Sequence, residues 1–382
     1  MIDRSRPDYL LLLVVLILIA IGMVMVYSAS AILTWEKMGS TIALAKMQAI
    51  WAIISLFSIL ILTKIDYHKL AKFSYLFLFV SLFFLLAVLF FPPTKGVNRW
   101  IRLGPISFQP SEFFKLGLIL FMAHSLSKRK DRIRELRFIL VPYFLILGIA
   151  ALLLMKEPHL GAVLLISTVV FGILFVAGAK IRHLLLVIAP VVLSFFILVF
   201  LFGYKKDRVI DYWKSIKNPL EGSYQMRQSV LALSSGEILG AGLGEGKAKL
   251  FFLPEPHTDF IFATTGEELG FLGTSAILVL FFLIALRGFS IARKASDDFG
   301  FLLAFGITLC IFMGALINAG VVVGLLPTTG LPMPFLSYGG SSLVFSAFGI
   351  GILLNISRQI KFVPSAQTGS HLTGRIISKI GI

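Results

Sequence analysis

The sequence predicts an all-α polytopic membrane protein with ten transmembrane helices and a long extracytoplasmic loop between helices 7 and 8. The first observation is composition, because 58% of the 382 residues are hydrophobic and 14% are charged. A soluble domain is closer to half apolar and a quarter charged. The second is that the apolar residues form long blocks, and about 20 such residues cross a bilayer. The third is that basic residues occupy the short loops between these blocks.

Ten apolar blocks have the length and composition of membrane helices, and the first is too long for the apolar core of a signal peptide. The predicted spans are Tyr9–Leu33, Leu44–Leu62, Leu70–Phe91, Ser111–Leu126, Phe138–Met155, Leu160–Gly178, Leu184–Phe202, Phe260–Leu286, Phe299–Leu325 and Phe335–Ile356. Residues 1–361 are therefore predicted to form one membrane domain with an outer loop at 203–258. Residues 362–382 are predicted to form a polar cytoplasmic tail.

Basic residues set the predicted orientation, since short cytoplasmic loops carry an excess of Lys and Arg. More than half of the 35 Lys and Arg residues lie at the two termini and in alternate loops, and the run Lys128–Arg132 is the strongest marker. This pattern predicts a multi-pass protein of the cytoplasmic (inner) membrane with both termini cytoplasmic. The formal charge of +16 does not indicate a nucleic-acid partner, because the basic residues form no patch on a soluble domain.

A basic and aromatic cluster precedes the fourth span on the predicted outer side. Arg99 and Arg102 are candidates for binding phosphate, because a guanidinium group pairs with two phosphate oxygens at once. Anchoring of Arg99, Trp100 and Arg102 at the membrane interface is the alternative. Glu112 and Lys115 lie three residues apart at the start of the span, so a helix places them on one face.

A second polar cluster, which includes His257, precedes the eighth span. Asp259 is the last polar residue before the apolar helix, and partial desolvation there favours a carboxylate that accepts a proton. Capping of the helix by Asp259 is the alternative. Glu267 and Glu268 follow inside the span, where ionisable side chains face a cavity or a partner. We expect one of them to face the cavity and the other to pair with a base or a backbone group.

Four further segments depart from the pattern of apolar spans. Lys156–Gly161 indicates a broken helix or tight turn, with a plain loop as the alternative. Gly236–Gly246 lacks the strand that a dinucleotide-binding loop requires, so its glycines are expected to let the backbone turn tightly or approach a ligand. Pro327–Ser342 breaks the helical pattern at membrane depth, as discontinuous helices do. Arg208–Lys217 forms either a short amphipathic helix on the membrane interface or a solvated loop.

Together these motifs resemble the SEDS family (shape, elongation, division and sporulation) from Tyr9 to Lys361, in the family's order. The motifs that carry the resemblance are Arg99–Ile101, Gln109–Glu112, Leu253–Glu255 with His257–Phe260, Gly266–Gly270, and the stretch from Asn318 through Pro327 and Gly330 to Ser337–Ser342. The resemblance implies the ten-helix SEDS fold. It also implies a peptidoglycan glycosyltransferase that polymerises lipid II into glycan strands on the outer face of the membrane.

The resemblance also assigns residues. The family's catalytic aspartate falls on Asp259, and substrate-binding residues are expected at Arg99, Trp100, Arg102, Glu112, Lys115, His257, Glu267 and Ser337. The motifs look more like the FtsW type, which acts in septal synthesis during cell division, than the RodA type, which acts in elongation. One position departs from the family pattern, because His159 stands where the family commonly has aspartate, which puts a carboxylate or metal-binding role there in doubt.

The sequence also leads to expectations about partners, a bound cation and alternative functions. The family implies a class B penicillin-binding protein and divisome proteins as partners. A divalent cation, Mg²⁺ or Mn²⁺, is chemically reasonable beside pyrophosphate, but no ligand set in the sequence identifies its residues. A lipid II flippase or transporter remains an alternative, since ionisable residues at membrane depth also suit a translocation path. A scaffold that activates its partner without catalysis is a third possibility.

Overall fold

The computed structural model describes residues 6–93, 96–103, 106–129, 132–133, 135, 140–186, 206–217, 221–250 and 252–360. Its helices are α1 Tyr9–Met38, α2 Ala43–Lys64, α3 Tyr67–Lys72, α4 Ser74–Ala87, α5 Pro110–Lys128, α6 Leu145–Lys156, α7 Leu160–Val176, α8 Lys206–Lys217, α9 Tyr224–Ser235, α10 Ile261–Lys294, α11 Asp298–Val322 and α12 Gly340–Arg358. A 3₁₀ turn, Val88–Phe90, extends α4, and a π-helical turn, Leu140–Phe144, leads into α6. Residues 181–186 are also helical.

The predicted membrane-spanning pattern agrees with these helices. Among the described residues, helices occupy nine of the ten predicted spans, and the seventh, Leu184–Phe202, lies outside them from residue 187 on. Five of the described helices, α1, α2, α10, α11 and α12, are long and apolar enough to cross a membrane. Shorter apolar helices cover Ser74–Phe90, Pro142–Lys156 and Leu160–Val176. The chain is an all-α polytopic membrane protein.

The two ends of the bundle are distinguished by their contacts. At one end, which we call the Asp8 end, the Arg287 guanidinium lies 2.7 Å from the Asp8 carboxylate, and the Asp8 amide donates to Ser357 Oγ (3.1 Å). The start of α1 and the finish of α12 therefore share one end, as an even number of spans requires. From Arg287 back to Phe271 the helix α10 rises about 24 Å, so the part of α10 next to Asp259 lies toward the opposite end.

Helix α10 is interrupted at Gly270, where φ is 67° and ψ is −167°. The glycine-rich segment that precedes α10 provides hydrogen-bond partners for the backbone groups around this break. The Phe271 amide donates to Glu237 O (2.9 Å), and the Ala241 amide donates to Glu267 O (2.9 Å). Backbone polar groups at membrane depth require such partners, because no water is available there. The break thus divides α10 into a short segment, Ile261–Leu269, and a long remainder.

Substituting Gly270 by alanine should strongly destabilise the fold. A Cβ there would lie 2.4 Å from Gly240 N and 2.5 Å from Ile238 O, and φ is in the left-handed region. Backbone strain of this kind costs about 1–3 kcal/mol, before the clash with two backbone atoms is added. The measurement is thermal unfolding in detergent. Gly148→Ala in α6 is the control, since its Cβ would meet nothing within 4 Å; equal unfolding midpoints for both variants would contradict the expectation.

The segment between α11 and α12 is irregular yet buried. Leu331, Met333 and Leu336 are each 2% exposed or less, although none lies in a helix. The tenth span was predicted to begin at Phe335, but α12 begins at Gly340. The prediction was too early because hydropathy does not distinguish a buried apolar loop from a helix, and because Phe335 has φ 62°, which a helix excludes.

Two short elements at the Asp259 end complete the fold. Strands β1 (Ile101–Leu103) and β2 (Ile106–Phe108) form an antiparallel hairpin in a stretch that was predicted only as an outer loop. Helix α8 resolves the alternative between a helix and a solvated loop in favour of a helix. The Tyr212 hydroxyl of α8 donates to Leu325 O (2.7 Å), which ties α8 to the C-terminal side of α11.

Candidate active site

A polar cavity of about 100 Å³ lies at the Asp259 end of the bundle. The polar side chains that line it are those of Arg99, Gln225, Asp259, Asn318, Thr328 and Thr329. These residues come from the loop before β1, from α9, from the segment before α10, from α11 and from the irregular segment after it. We call this space the Asp259 cavity.

Arg99 and Asp259 converge on Gly330. The position that a Cβ would occupy at Gly330 is 3.1 Å from Arg99 Nη1 and 3.4 Å from Asp259 Oδ2. Gly330 has φ +69°, a conformation that side chains other than glycine rarely adopt. The absence of a side chain at this position lets a guanidinium and a carboxylate approach one point. A group that carries a hydroxyl and an anion can meet a proton acceptor and a cation there.

Arg99 is oriented by the turn between α6 and α7. Its Nε donates to Glu157 O (2.9 Å), and its Nη2 donates to Pro158 O. Backbone carbonyls fix the plane of the guanidinium without carrying a formal charge. Lys156–Gly161 is therefore a tight turn, as the sequence indicated, and not a plain loop. Its backbone carbonyls position the Arg99 guanidinium.

The Asp259 segment is held by polar side chains of α11 and of the irregular segment before α12. Asn318 Nδ2 donates to both Asp259 O and Leu331 O, each at 2.8 Å. Ser337 Oγ donates to Thr258 O (2.7 Å). Helix α10 has Phe260 as its N-cap residue and no side-chain cap, so the capping alternative for Asp259 is wrong.

Asn318 is one of the cavity residues that sequence reasoning did not select, together with Gln225, Thr328 and Thr329. It was noted only as part of the family signature. Asn318 is buried, and its side-chain amide donates to the carbonyls of Asp259 and Leu331, which both line the Asp259 cavity. The signal was present in the sequence, because a single amide inside an apolar span must find polar partners.

Glu112 and Lys115 lie on one helix face, as their spacing predicted, and they form an ion pair. Lys115 Nζ lies 2.8 Å from a Glu112 oxygen, and the Glu112 side chain is 2% exposed. The pair lines a second cavity of about 40 Å³, whose other walls are largely apolar. Leu331 lines both cavities, so the two spaces lie on either side of that residue. Binding of substrate by this pair stays a prediction.

The remaining predicted residues lie around the Asp259 cavity but do not line it. Trp100 is half-buried before β1, and Arg102 is exposed on the hairpin. The His257 ring packs near the Tyr338 ring, with centroids 5.8 Å apart. Substrate binding by Trp100, Arg102 and His257 stays a prediction.

Glu267 and Glu268 both bind the loop that precedes the Asp259 segment. Glu267 Oε1 accepts from the amides of Lys247 (2.7 Å) and Ala248 (3.1 Å), and Glu268 Oε1 accepts from Lys249 Nζ (2.6 Å). The expected pairing with a base or with the backbone is thus found for both carboxylates. Neither lines the two cavities described above, so the expectation that one of them faces the cavity, and the predicted binding of substrate by Glu267, draw no support from this geometry.

The turn that holds Arg99 contains two buried ionisable groups. Glu157 and His159 are both 0% exposed. Burial raises the pKa of the Glu157 carboxyl to about 8, although the nearby Arg99 opposes the rise. Burial, together with Arg99 and Lys115, lowers the pKa of His159 well below its usual value. Both groups are therefore neutral at pH 7, and Glu157 adds no negative charge beside Arg99.

Glu157→Gln should change how stability depends on pH. Because the folded pKa is about 8 against an ordinary 4.5, the folded protein keeps a proton that the unfolded chain releases. The stability contributed by this group is present below the unfolded pKa and is lost as pH rises through about 8. We expect the unfolding midpoint of Glu157→Gln, relative to wild type, to rise between pH values of about 5 and 9. A difference that does not vary with pH would contradict this.

The described residues offer no cluster of the side chains that usually bind a metal ion. Within the described ranges, no group of three or more His, Cys, Asp or Glu side chains gathers in a way that could hold a metal ion. Binding of Mg²⁺ or Mn²⁺ stays a prediction and would depend on substrate phosphate oxygens as ligands. Among the described residues that line the Asp259 cavity, positive charge comes from the guanidinium of Arg99.

Comparison with known proteins adds independent information. A family model described as "Cell cycle protein", covering FtsW, RodA and SpoVE, matches residues 8–362. A protein of Geobacter sulfurreducens named probable peptidoglycan glycosyltransferase FtsW is 40% identical over 366 residues, which cover 95% of this chain and 98% of that protein. Stage V sporulation protein E of Bacillus subtilis is 40% identical over 364 residues, which cover 94% of this chain and 99% of that protein.

Two solved structures resemble the fold over almost its whole length. A chain of a peptidoglycan synthase complex, described as coordinating polymerisation and crosslinking, is 28% identical with a TM-score of 0.77, covering 94% of this chain and 99% of that one. The crystal structure of the rod shape determining protein RodA of Thermus thermophilus is 26% identical with a TM-score of 0.69, covering 94% of this chain and 98% of RodA.

Proposed function

We propose that this chain, which belongs to the FtsW, RodA and SpoVE family of cell cycle proteins, is a peptidoglycan glycosyltransferase that polymerises lipid II. The relatives that are about 40% identical over nearly the whole chain carry the glycosyltransferase name or the sporulation name. The observation that carries the proposal is the convergence of Arg99 and Asp259 on Gly330 in one polar cavity. A cation and a carboxylate at one point are what glycosyl transfer from a pyrophosphate requires.

The proposed reaction is an inverting glycosyl transfer. The 4-hydroxyl of an acceptor GlcNAc attacks C1 of the donor MurNAc, the bond from C1 to the pyrophosphate oxygen breaks, and undecaprenyl pyrophosphate leaves. Asp259 accepts the proton of the attacking hydroxyl as general base. Arg99 offsets the negative charge that grows on the pyrophosphate, which is a fixed electrostatic contribution to the transition state. Arg102, on the exposed hairpin, is the second candidate for this charge.

The cellular setting follows from the same relatives. We assign the chain to septal synthesis during cell division, because relatives named FtsW are about 40% identical whereas the solved RodA is 26% identical. Both termini would be cytoplasmic, which puts the Asp259 cavity on the outer face of the inner membrane, where lipid II is displayed. The similarity to a chain of a peptidoglycan synthase complex supports a class B penicillin-binding protein as partner, within the divisome.

The test is a reconstitution that separates polymerisation from lipid transport. The purified protein, with its penicillin-binding protein, is placed in vesicles with fluorescent lipid II, and glycan strands are resolved on a gel. A parallel measurement records whether lipid II crosses the bilayer. Polymer that depends on the chain supports the proposal. Transport without polymer would favour the flippase. Polymer that depends on the chain but is made equally well by a folded Asp259→Asn chain would favour a scaffold that activates its partner.

A further inference from the structure

A buried ion pair closes the segment of chain that carries Asp259. Lys249 Nζ lies 2.6 Å from Glu268 Oε1, and the two side chains are 4% and 0% exposed. Ser28 Oγ of α1 donates to the Glu268 carboxylate (2.7 Å), and Lys249 Nζ donates to Gly244 O (2.7 Å). The polar atoms of the pair are therefore bonded within the bundle. We call Lys249, Glu268 and Ser28 the latch.

The latch lies at the base of a chain loop with Asp259 near its middle. The paired residues are 19 positions apart, so the ion pair closes residues 249–268 into a ring. Asp259 follows Lys249 by about as many residues as it precedes Glu268. Closing a loop at its base lowers the number of conformations available to the residues between its ends. The position of the Asp259 carboxylate thus depends on the latch as well as on Asn318.

A second set of hydrogen bonds joins the same two segments of chain as the latch. Glu267 accepts from the amides of Lys247 and Ala248, and Glu268 Oε2 accepts from the Gly244 amide (3.0 Å). Two adjacent carboxylates therefore fix the same loop, one through backbone amides and the other through an ion pair. The segment of α10 before Gly270 is thus bound, through Glu267 and Glu268, to residues 244–249.

Because α10 is broken at Gly270, its first turns need the hydrogen bonds of Glu267 and Glu268 to fix their direction. In a continuous helix, the direction of the first turns would be fixed by the rest of α10. Because Gly270 interrupts the helical geometry, the segment Ile261–Leu269 is not oriented by the long remainder of α10. The bonds from Glu267 and Glu268 to residues 244–249 supply that orientation, and Asp259 lies immediately before the oriented segment.

A buried ion pair of this kind is better suited to fixing geometry than to adding stability. Removal of two charges from water costs about as much as their attraction returns, so an apolar pair of similar volume often preserves the fold. An apolar pair lacks the directional hydrogen bonds through which Lys249 and Glu268 meet each other, Ser28 and Gly244. We propose that Lys249 and Glu268 are positioning residues that hold Asp259 in its reactive orientation. This proposal rests on the proposed glycosyl transfer, and it concerns the rate of that reaction.

The experiment compares kcat and KM for polymerisation by the full chain with its partner protein. Lys249→Met and Glu268→Gln should each lower kcat by about 10- to 100-fold, with KM within about twofold, because a shift of about 1 Å in a reacting group costs rate of this order. Lys249→Arg keeps the charge and should restore most of kcat. The double variant Lys249→Met/Glu268→Leu removes both charges together and should remain slow per folded molecule, with its unfolding midpoint lowered because Ser28 Oγ and the Gly244 amide lose their acceptor.

A matched control lies at the other end of the bundle. Arg287→Met breaks the ion pair with Asp8, which also ties distant parts of the chain together. It should leave kcat and KM unchanged. Thermal unfolding of all variants in detergent separates loss of fold from loss of rate. If the latch variants reduce only the amount of folded protein, with wild-type kcat per folded molecule, the latch has only a structural role and the inference is overturned.

Hydrogen exchange tests the latch without any activity. In Lys249→Met, the amides of residues 252–259 should exchange faster than in wild type, whereas those of α12 should not change. If wild-type protein makes no polymer, the proposed function fails, and exchange alone then decides whether the latch closes the segment. If wild type makes polymer while Lys249→Met has normal kcat and normal exchange, only the latch inference fails.

Discussion

Asp259→Asn lowers the rate of glycan polymerisation by about 100- to 10,000-fold, the range by which general bases accelerate reactions. Asparagine keeps the shape of the side chain but cannot accept the proton of the attacking hydroxyl. The backbone carbonyl of residue 259 still accepts from Asn318, so the segment keeps its position. The measurement is the initial rate of polymer formation by the purified complex, with unfolding midpoint and complex formation determined for each variant.

A carboxylate outside the cavity provides the control. Asp211→Asn in α8 changes the same chemical group at the same end of the bundle, and Asp211 does not line the Asp259 cavity. Its rate should stay within about twofold of wild type. Undiminished polymerisation by a folded, complex-forming Asp259→Asn protein would exclude Asp259 as the base, and the reaction would then require another proton acceptor.

The membrane helices were predictable because the bilayer imposes a simple requirement on the sequence. A span must be apolar for about 20 residues, whatever it packs against. The same simplicity explains the errors. Phe335 and Leu336 are as apolar as any helical residue, but they are buried in irregular backbone against Gly22 of α1 and not in α12. The hairpin at 101–108 was missed because strands of three residues carry too little alternation to detect.

The site was predictable where its contacts are local. Glu112 and Lys115 pair because a helix places residues three apart side by side, which needs no knowledge of the fold. Glu267 and Glu268 differ, since their partners come from a loop about 20 residues earlier that folds back on α10. Sequence alone indicated that these carboxylates needed partners, but not which ones, because loop conformation is set by tertiary contacts.

The approach of Arg99 and Asp259 to Gly330 also depends on tertiary contacts. Arg99, Asp259 and Gly330 lie far apart in the chain and meet only when α6, α10 and α11 are packed. Each was marked in the sequence by a motif, and the resemblance to one family joined them. What the structure adds is the contact of Arg99 with the turn at 157–158, which no motif indicated. That contact makes Arg99, and not its neighbour on the hairpin, the better placed cation.

Arg99→Gln should therefore lower kcat by about 100- to 1,000-fold, as the loss of one preorganised group that stabilises transition-state charge does. Arg99→Lys should recover only part of the rate. An ammonium group keeps the charge, but it cannot donate to two carbonyls and still present a planar fork to phosphate. The measurement is kcat and KM for polymerisation by the reconstituted complex.

Comparison with Arg102→Gln decides which arginine meets the pyrophosphate. Arg102 is exposed on the hairpin and does not line the Asp259 cavity, so its loss should cost much less rate than the loss of Arg99. A larger effect at Arg102 would reverse the assignment and would mean that the hairpin moves over the cavity when substrate binds. A large effect at Arg99 on KM alone would instead indicate that the guanidinium binds substrate and transition state equally, because uniform binding leaves kcat unchanged.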